Sequence, residues 1–336
     1  MRPRTLLTGC LAVLLSLWVL PTHASEFRLS YSCFFPPTHV QSQLAEQWCR
    51  EVEARTDGQV RIDYYPGGTL TKAKQCYDGV VEGISDIGFS ALAYSRGRFP
   101  VMAAVDLPLG YTSGMQATKV ANSVYEHFQP QELQDVQVMY FNAHGPGLLH
   151  TREISVTRLE QLKGLKLRAT GNSAQLVQAL GGTPVAQSMP EAYQSIQKGV
   201  VDGGMYPVET NKGWKMAEVV DYMTESYSTG YTTTFFVVMN KDRWESLPDD
   251  VRKAIQEVNA EWIAKHGQAW DEADKVGRAA FLEQGNQIVP LAAEEAERWQ
   301  NAAAPLLRTY VDEVSARGVD GDAVLRFTRD ALQELR

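Results

Sequence analysis

Two successive runs of alternating strand and helix patterns limit what this chain can become. Phe27 to Ser32 alternates apolar and polar residues, as a half-buried strand does. Phe34-Phe35-Pro36-Pro37 breaks it, and Thr38 is placed to cap a helix. Val40, Leu44, Trp48 and Val52 then recur every four residues, one buried stripe that Asp57-Gly58 ends. Val60 to Tyr65 reads as a second strand, Ala73 to Glu82 as a helix, and Asp86 to Ser90 as a third strand. That order predicts a partly parallel sheet with helices on its faces, an α/β fold. A second module reads alike. Strands are expected at Val136 to Phe141, Leu148 to Thr151, Leu165 to Ala169 and Thr183 to Gln187, with helices at Ser173 to Leu180 and Pro190 to Lys198.

An internal echo links the modules. Tyr77, Gly83, Asp86 and Gly88 are spaced by six, three and two, and Tyr193, Gly199, Asp202 and Gly204 repeat those spacings. We read each as a helix, a glycine stop, a turn and a buried strand. Beyond them, Phe235 to Met239 forms an apolar strand, and Leu247-Pro248-Asp249-Asp250 opens a helix expected to reach about Glu283. From about Ala292 the tail is helical and charged. No Ser/Gly-rich linker divides the chain, so short segments should join its halves.

The start of the chain has the build of a secretory leader. Arg2 and Arg4 precede an apolar run from Leu6 to Leu20, and Pro21-Thr22-His23-Ala24 ends in a small residue. The run is shorter than the roughly 20 residues that span a bilayer. Residues 1–24 are therefore expected to be removed as a signal peptide, leaving the protein in the periplasm. Losing Arg2 and Arg4 takes the net charge from −8 to about −10. Such a surface has no electrostatic reason to bind nucleic acid, and an anionic ligand must be held by local donors. Cys33, Cys49 and Cys76 remain in an oxidising compartment. Cys49 and Cys76 sit on successive expected helices and are the favoured pair. Buried free thiols are the other reading.

Catalytic patterns are missing. The sequence holds no nucleophile elbow, H-E-x-x-H, P-loop or dinucleotide fingerprint. His144-Gly145-Pro146-Gly147 starts like a glycine-rich loop, but His150 stands where the third glycine would fall. No Cys/His pair has metal-site spacing. We expect no enzyme, no cofactor and no metal.

Leu162-Lys163-Gly164-Leu165-Lys166-Leu167-Arg168 and Gly199-Val200-Val201-Asp202-Gly203 carry a resemblance. With Tyr65-Pro66-Gly67-Gly68-Thr69-Leu70, Gly83 to Gly88 and Met239 to Asp242, they resemble the solute-binding proteins of tripartite ATP-independent periplasmic (TRAP) transporters, the DctP-type family. The resemblance covers essentially the whole mature chain. It implies a two-lobe, type II-like periplasmic binding protein fold with hinge strands and a long helix beneath both lobes. Residues 25–145 plus about 234–270 would form lobe I, and about 146–233 plus 271–336 lobe II. It also implies a monomer that delivers a small carboxylate to a small and a large TRAP membrane subunit. A dicarboxylate or 2-oxo acid ligand, or an ATP-driven importer, is the alternative.

By the same resemblance, Arg168 grips the ligand carboxylate at two points, as a guanidinium fork can. Two positions depart from the family pattern. Gly147-Leu148-Leu149-His150 is the stretch where many relatives carry a second cleft arginine, so that cation is missing, and Tyr206 stands where a ligand-binding asparagine would be. Both changes replace polar donors with flatter, less polar surface. The expected ligand is therefore an aromatic or indole monocarboxylate, enclosed by Phe34, Phe35, Tyr94, Tyr206 and Phe235 near strand ends. Glu209 could meet an amino group on it. Ser90 and His144 complete the expected ligand-binding set.

Overall fold

In a computed structural model, which describes residues 27–335, the strands are β1 (Phe27–Cys33), β2 (Val60–Tyr65), β3 (Ile87–Ala91), β4 (Val136–Ala143), β5 (Gly147–Thr151), β6 (Lys166–Ala169), β7 (Thr183–Ala186), β8 (Gly203–Pro207), β9 (Tyr222–Thr224), β10 (Thr234–Asn240) and β11 (Gln287–Val289). The expected signal peptide lies outside the described residues. Helices are α1 (Val40–Arg55), α2 (Cys76–Val81), α3 (Gly114–Phe128), α4 (Asn172–Ala179), α5 (Met189–Gln197), α6 (Thr210–Gly213), α7 (Lys241–Glu245), α8 (Asp249–Glu283), α9 (Ala293–Ala303), α10 (Pro305–Ser315) and α11 (Gly321–Glu334). They build two sheets, ordered β2-β1-β3-β10-β4 and β11-β9-β5-β8-β6-β7.

Within the first sheet, β1 runs parallel to β2 and β3, and β10 is antiparallel to β3 and β4. The second sheet mirrors this plan, with β6 parallel to β7 and β8, and β5 antiparallel to β8 and β9. The chain leaves the first sheet after β4 and returns to it as β10. These two crossings touch, because Gly147 N donates to Tyr231 O at 2.8 Å.

The echo is architectural. Gly83 (φ +72°) and Gly199 (φ +66°) close α2 and α5 in the left-handed region that glycine tolerates. The next amides reach back into their helices, Ile84 N to Gly79 O at 2.8 Å and Val200 N to Ser195 O at 2.9 Å. Each aspartate then ties the neighbouring parallel strand: Asp86 Oδ2 accepts from Ser30 N, and Asp202 Oδ2 from Lys166 N, both at 2.7 Å.

Helix α8 is the member common to both halves. Its 35 residues span about 50 Å at 1.5 Å per residue. Asp249 and Asp250 in its first turn complement the helix dipole. Its earlier part packs on α1, α3 and β4, and its later part on α6 and β11. A Cβ on Gly277 would sit 2.2 Å from Val208 O, so the helix touches backbone there. The C-terminal segment divides: α9 packs on α4, while α10 and α11 join a core with α3 and one face of the first sheet.

Three local expectations are corrected. The cap of α1 is His39, not Thr38, since His39 Nδ1 accepts from Gln41 N at 3.2 Å. The expected helix at Ala73 begins as a 3-10 turn and becomes α-helical at Cys76. The Cys49–Cys76 disulfide does not form, and all three thiols are free and buried. Alternation along the first sheet explains this. Cys49 packs with Tyr31 and Val237 in one core, whereas Cys76 packs with Tyr77 and Phe236 in the core on the opposite face. Burial pushes Cys33 and Cys76 up to about 12 and Cys49 well above the usual thiol range. We expect a water-soluble thiol reagent to leave all three unreacted in the native protein and to label them after unfolding in urea. Rapid native labelling would contradict the packing.

Candidate functional site

Arg168 lies on β6, flanked by β7 and β8, and is only 4% exposed. Its Nε donates to Gln187 O at 3.0 Å and its Nη1 to Met205 O at 3.3 Å. Among the described residues it forms no ion pair within 4 Å. A buried charge without a counter-ion is costly, so the position is one that an anion would stabilise. The Tyr94 hydroxyl lies close by. Burial pushes it up, against the pull of the guanidinium.

The guanidinium faces a narrow cavity of about 30 Å³ between the halves. The cavity walls are aromatic. Phe34 stacks on Phe235 (centroids 6.0 Å apart, 16° between planes) and on Trp214 (5.9 Å, 21°). Phe235 in turn stacks on Trp270 of α8 (5.3 Å, 19°). Tyr206 is 1% exposed, and its hydroxyl has no partner among the described residues. Its ring lies on His150 at 4.2 Å and 21°.

Both nearby imidazoles are kept from charging, chiefly by burial. His144 is pushed down to about 4, the nearby guanidinium adding to the effect, and His150 down to about 3. Arg168 is thus the one permanent cation among the described lining residues.

Glu209 follows β8 and is 2% exposed. Its backbone N donates to Asp274 Oδ1 of α8 at 2.8 Å, and its Oε2 meets His39 Nε2 at 3.0 Å. Asp274 is pushed up to about 8 by burial and by the neighbouring Glu209.

Further bonds shut the cavity between the halves. Met189 N donates to the Tyr94 hydroxyl at 3.0 Å, Asn172 Nδ2 to Ala103 O at 2.7 Å, and Lys74 pairs with Glu191 at 3.0 Å. A Cβ on Gly171 would come within 2.9 Å of Ala93 Cβ. A larger groove runs outside this seal, along Leu92–Asp106, Gly171–Gln175 and α10, and Arg317 there already bonds to Gly97 O.

Arg168, Tyr206, Phe35, Tyr94, His144, Glu209 and Phe235 all line the cavity. Ser90 does not. It alternates with Phe89 and Ala91, which join the core nearer the cavity, and its hydroxyl donates to Ala73 O at 2.8 Å. Met189, Trp214 and Tyr231 line the cavity without having been foreseen. Trp214 had a signal in Gly213 before it, where a Cβ would lie 2.5 Å from Glu209 Oε2.

Two α/β halves closed over an unpaired guanidinium, with a lining of rings, have the build of a solute-binding protein. Comparisons with known proteins agree. The chain belongs to bacterial extracellular solute-binding protein family 7, DctP, whose model matches residues 31–313. It resembles a TRAP periplasmic solute-binding protein from Desulfovibrio salexigens DSM2638, solved as an open complex (34% identity, 92% of this chain and 96% of that one, TM-score 0.80). It also resembles one from Rhodoferax ferrireducens T118 in complex with copurified benzoate (28% identity, 91% and 98% covered, TM-score 0.85). A third, from an unidentified marine microbe, is specific for aromatic acid ligands and holds 3-hydroxybenzoate (27% identity, 93% and 99% covered, TM-score 0.88). This chain is accordingly a TRAP solute-binding protein of two-lobe α/β fold. The proteins of this class are periplasmic transport components, and no helix among the described residues is long and apolar enough to cross a membrane.

Proposed function

We propose that this protein captures an aromatic monocarboxylate and delivers it, as a monomer without catalytic turnover, to the small and large TRAP membrane subunits. The observation that carries this reading is the buried Arg168 fork, without a carboxylate partner, facing stacked aromatic walls. One guanidinium matches one carboxylate. The stretch in which many relatives carry a second cleft arginine is Gly147-Leu148-Leu149-His150 here, and His150 is a neutral ring backing Tyr206. Burying about 150 Å² of a ligand ring would contribute roughly 4 kcal/mol, compensating for the absent second ionic contact. The benzoate and 3-hydroxybenzoate held by similar proteins support the same ligand class.

Capture would proceed by closure of two lobes. We assign 27–143, 234–266 and 305–335 to the first and 147–230 and 268–303 to the second, with the touching crossings at Gly147 and Tyr231 as hinge. This differs from the sequence-based division in giving α10 and α11 to the first lobe. Removal of residues 1–24 on export belongs to the same proposal.

A thermal-shift panel of benzoate, phenylacetate, indole-3-acetate, succinate and 2-oxoglutarate tests it. An aryl acid at 100 times its dissociation constant should add about 2.7 kcal/mol of stability. Stabilisation by succinate with no response to any aryl acid would overturn the reading.

A further inference from the structure

The cavity holds a second charged side chain that carboxylate capture does not use. Glu209 is 2% exposed and lines the same space as Arg168, yet the two form no ion pair within 4 Å. Its Oε2 is occupied by His39 at 3.0 Å. The His39 ring accepts from Gln41 N at Nδ1, so its proton sits on Nε2 and points at Glu209. Asp274 fixes the Glu209 backbone by accepting from its N, and Gly213 lies against the carboxylate, where a Cβ would be 2.5 Å from Oε2. Oε1 has no hydrogen-bond partner among the described residues. Glu209 borders the ligand space, where this oxygen can accept a further hydrogen bond.

We infer that the Glu209–His39 pair forms a second recognition point in the cavity, selecting aromatic acids whose ring also carries a hydrogen-bond donor, a hydroxyl or an amino group. The inference rests on the aromatic-acid reading above and narrows it. Arg168 takes the acid group, the aromatic walls take the ring, and Glu209 Oε1 takes the donor. A cavity with only the first two features would favour unsubstituted rings, because an added polar group would lose its water without compensation.

His39 caps α1 beside the first sheet and Glu209 follows β8 of the second, so their bond also spans the two halves. A pure closing contact would strengthen every ligand by the same factor. A recognition point changes the ratio between ligands, and that ratio is what the experiment reads.

The probes are phenylacetate and its ring-hydroxy and ring-amino derivatives in ortho, meta and para positions, titrated calorimetrically into the wild-type protein and Glu209→Gln. For the wild type, at least one hydroxy or amino derivative should bind about tenfold tighter than phenylacetate, as expected for a hydrogen bond to a charged acceptor. In Glu209→Gln the amide oxygen must face His39 Nε2–H, which turns the amide NH2 toward the ligand. The acceptor becomes a donor, and the preference for the amino derivative should vanish or reverse. The hydroxyl can turn to accept and should keep part of its advantage, which separates the two donor types. If phenylacetate binds the wild type as tightly as every derivative, or if Glu209→Gln leaves the affinity ratios unaltered, the inference fails while the aromatic-acid reading stands. If no member of the series binds the wild type, both fail together.

Discussion

Replacing Arg168 with alanine should abolish useful ligand capture, raising the dissociation constant by roughly 100-fold or more. Truncating one partner of a buried charge pair costs about 2–5 kcal/mol, because the other charge is left buried and unpaired. Here that other charge is the ligand's own acid group. The Gln187 and Met205 carbonyls that now hold the guanidinium also lose their donor. Arg168→Lys should fall between the two, since an ammonium keeps the charge but cannot present a planar fork. The unliganded protein should behave differently. The guanidinium has no counter-ion in its 4% exposed position, so Arg168→Met should unfold at the same temperature as the wild type or higher. Calorimetric titration and paired melting curves with and without an aryl acid check both statements. A full ligand-induced shift in Arg168→Ala would remove Arg168 from the site.

Trp270→Ala should give the largest stability loss, about 3–5 kcal/mol. The side chain is 1% exposed on α8 and stacks on Phe235, and its Nε1 donates to Asn142 Oδ1 at 2.9 Å. Its removal opens a cavity beneath the site and strips Asn142, whose Nδ2 has no partner already, of a hydrogen bond. Gly114 is glycine because a Cβ there would meet Trp270 Cβ at 2.4 Å, so little nearby can move in to fill the void. Trp270→Phe keeps most of the apolar volume and should cost less than half as much. The denaturation midpoint in urea should fall at unchanged slope. A midpoint for Trp270→Ala near the wild-type value would show that α8 does not anchor the aromatic wall.

How much of this was readable beforehand differs by element. The strand-helix alternation and the α8 start at Asp249 follow from local patterns, and those patterns survive folding, whereas Arg168 was singled out through the family resemblance. Helix α3 was not foreseen: its apolar stripe of Ala117, Val120, Ala121 and Val124 is short and made of small residues, and Gly114, Thr118 and Asn122 are buried beside it. Those polar groups face inward because β4 is an edge strand whose backbone needs partners. Asn122 bonds to both N and O of Phe141, and Thr118 to N and O of Ala143. The echo was visible as spacing, but the task of Asp86 and Asp202 depends on which strand lies alongside, a tertiary fact. Ser90 and the cysteines failed for a related reason. A one-residue change along a strand, or a helix on the other side of a sheet, reverses what a residue meets.

The separation of Cys49 and Cys76 by a sheet has a consequence for how the chain matures. Exported chains meet oxidants while still extended, and a covalent link between these two sulfurs would draw together helices that belong on opposite sides. Successful maturation is therefore a race in which collapse must seal the sulfurs before oxidation joins them. The winner of that race carries no covalent cross-link among the described residues, and its endurance depends on packing.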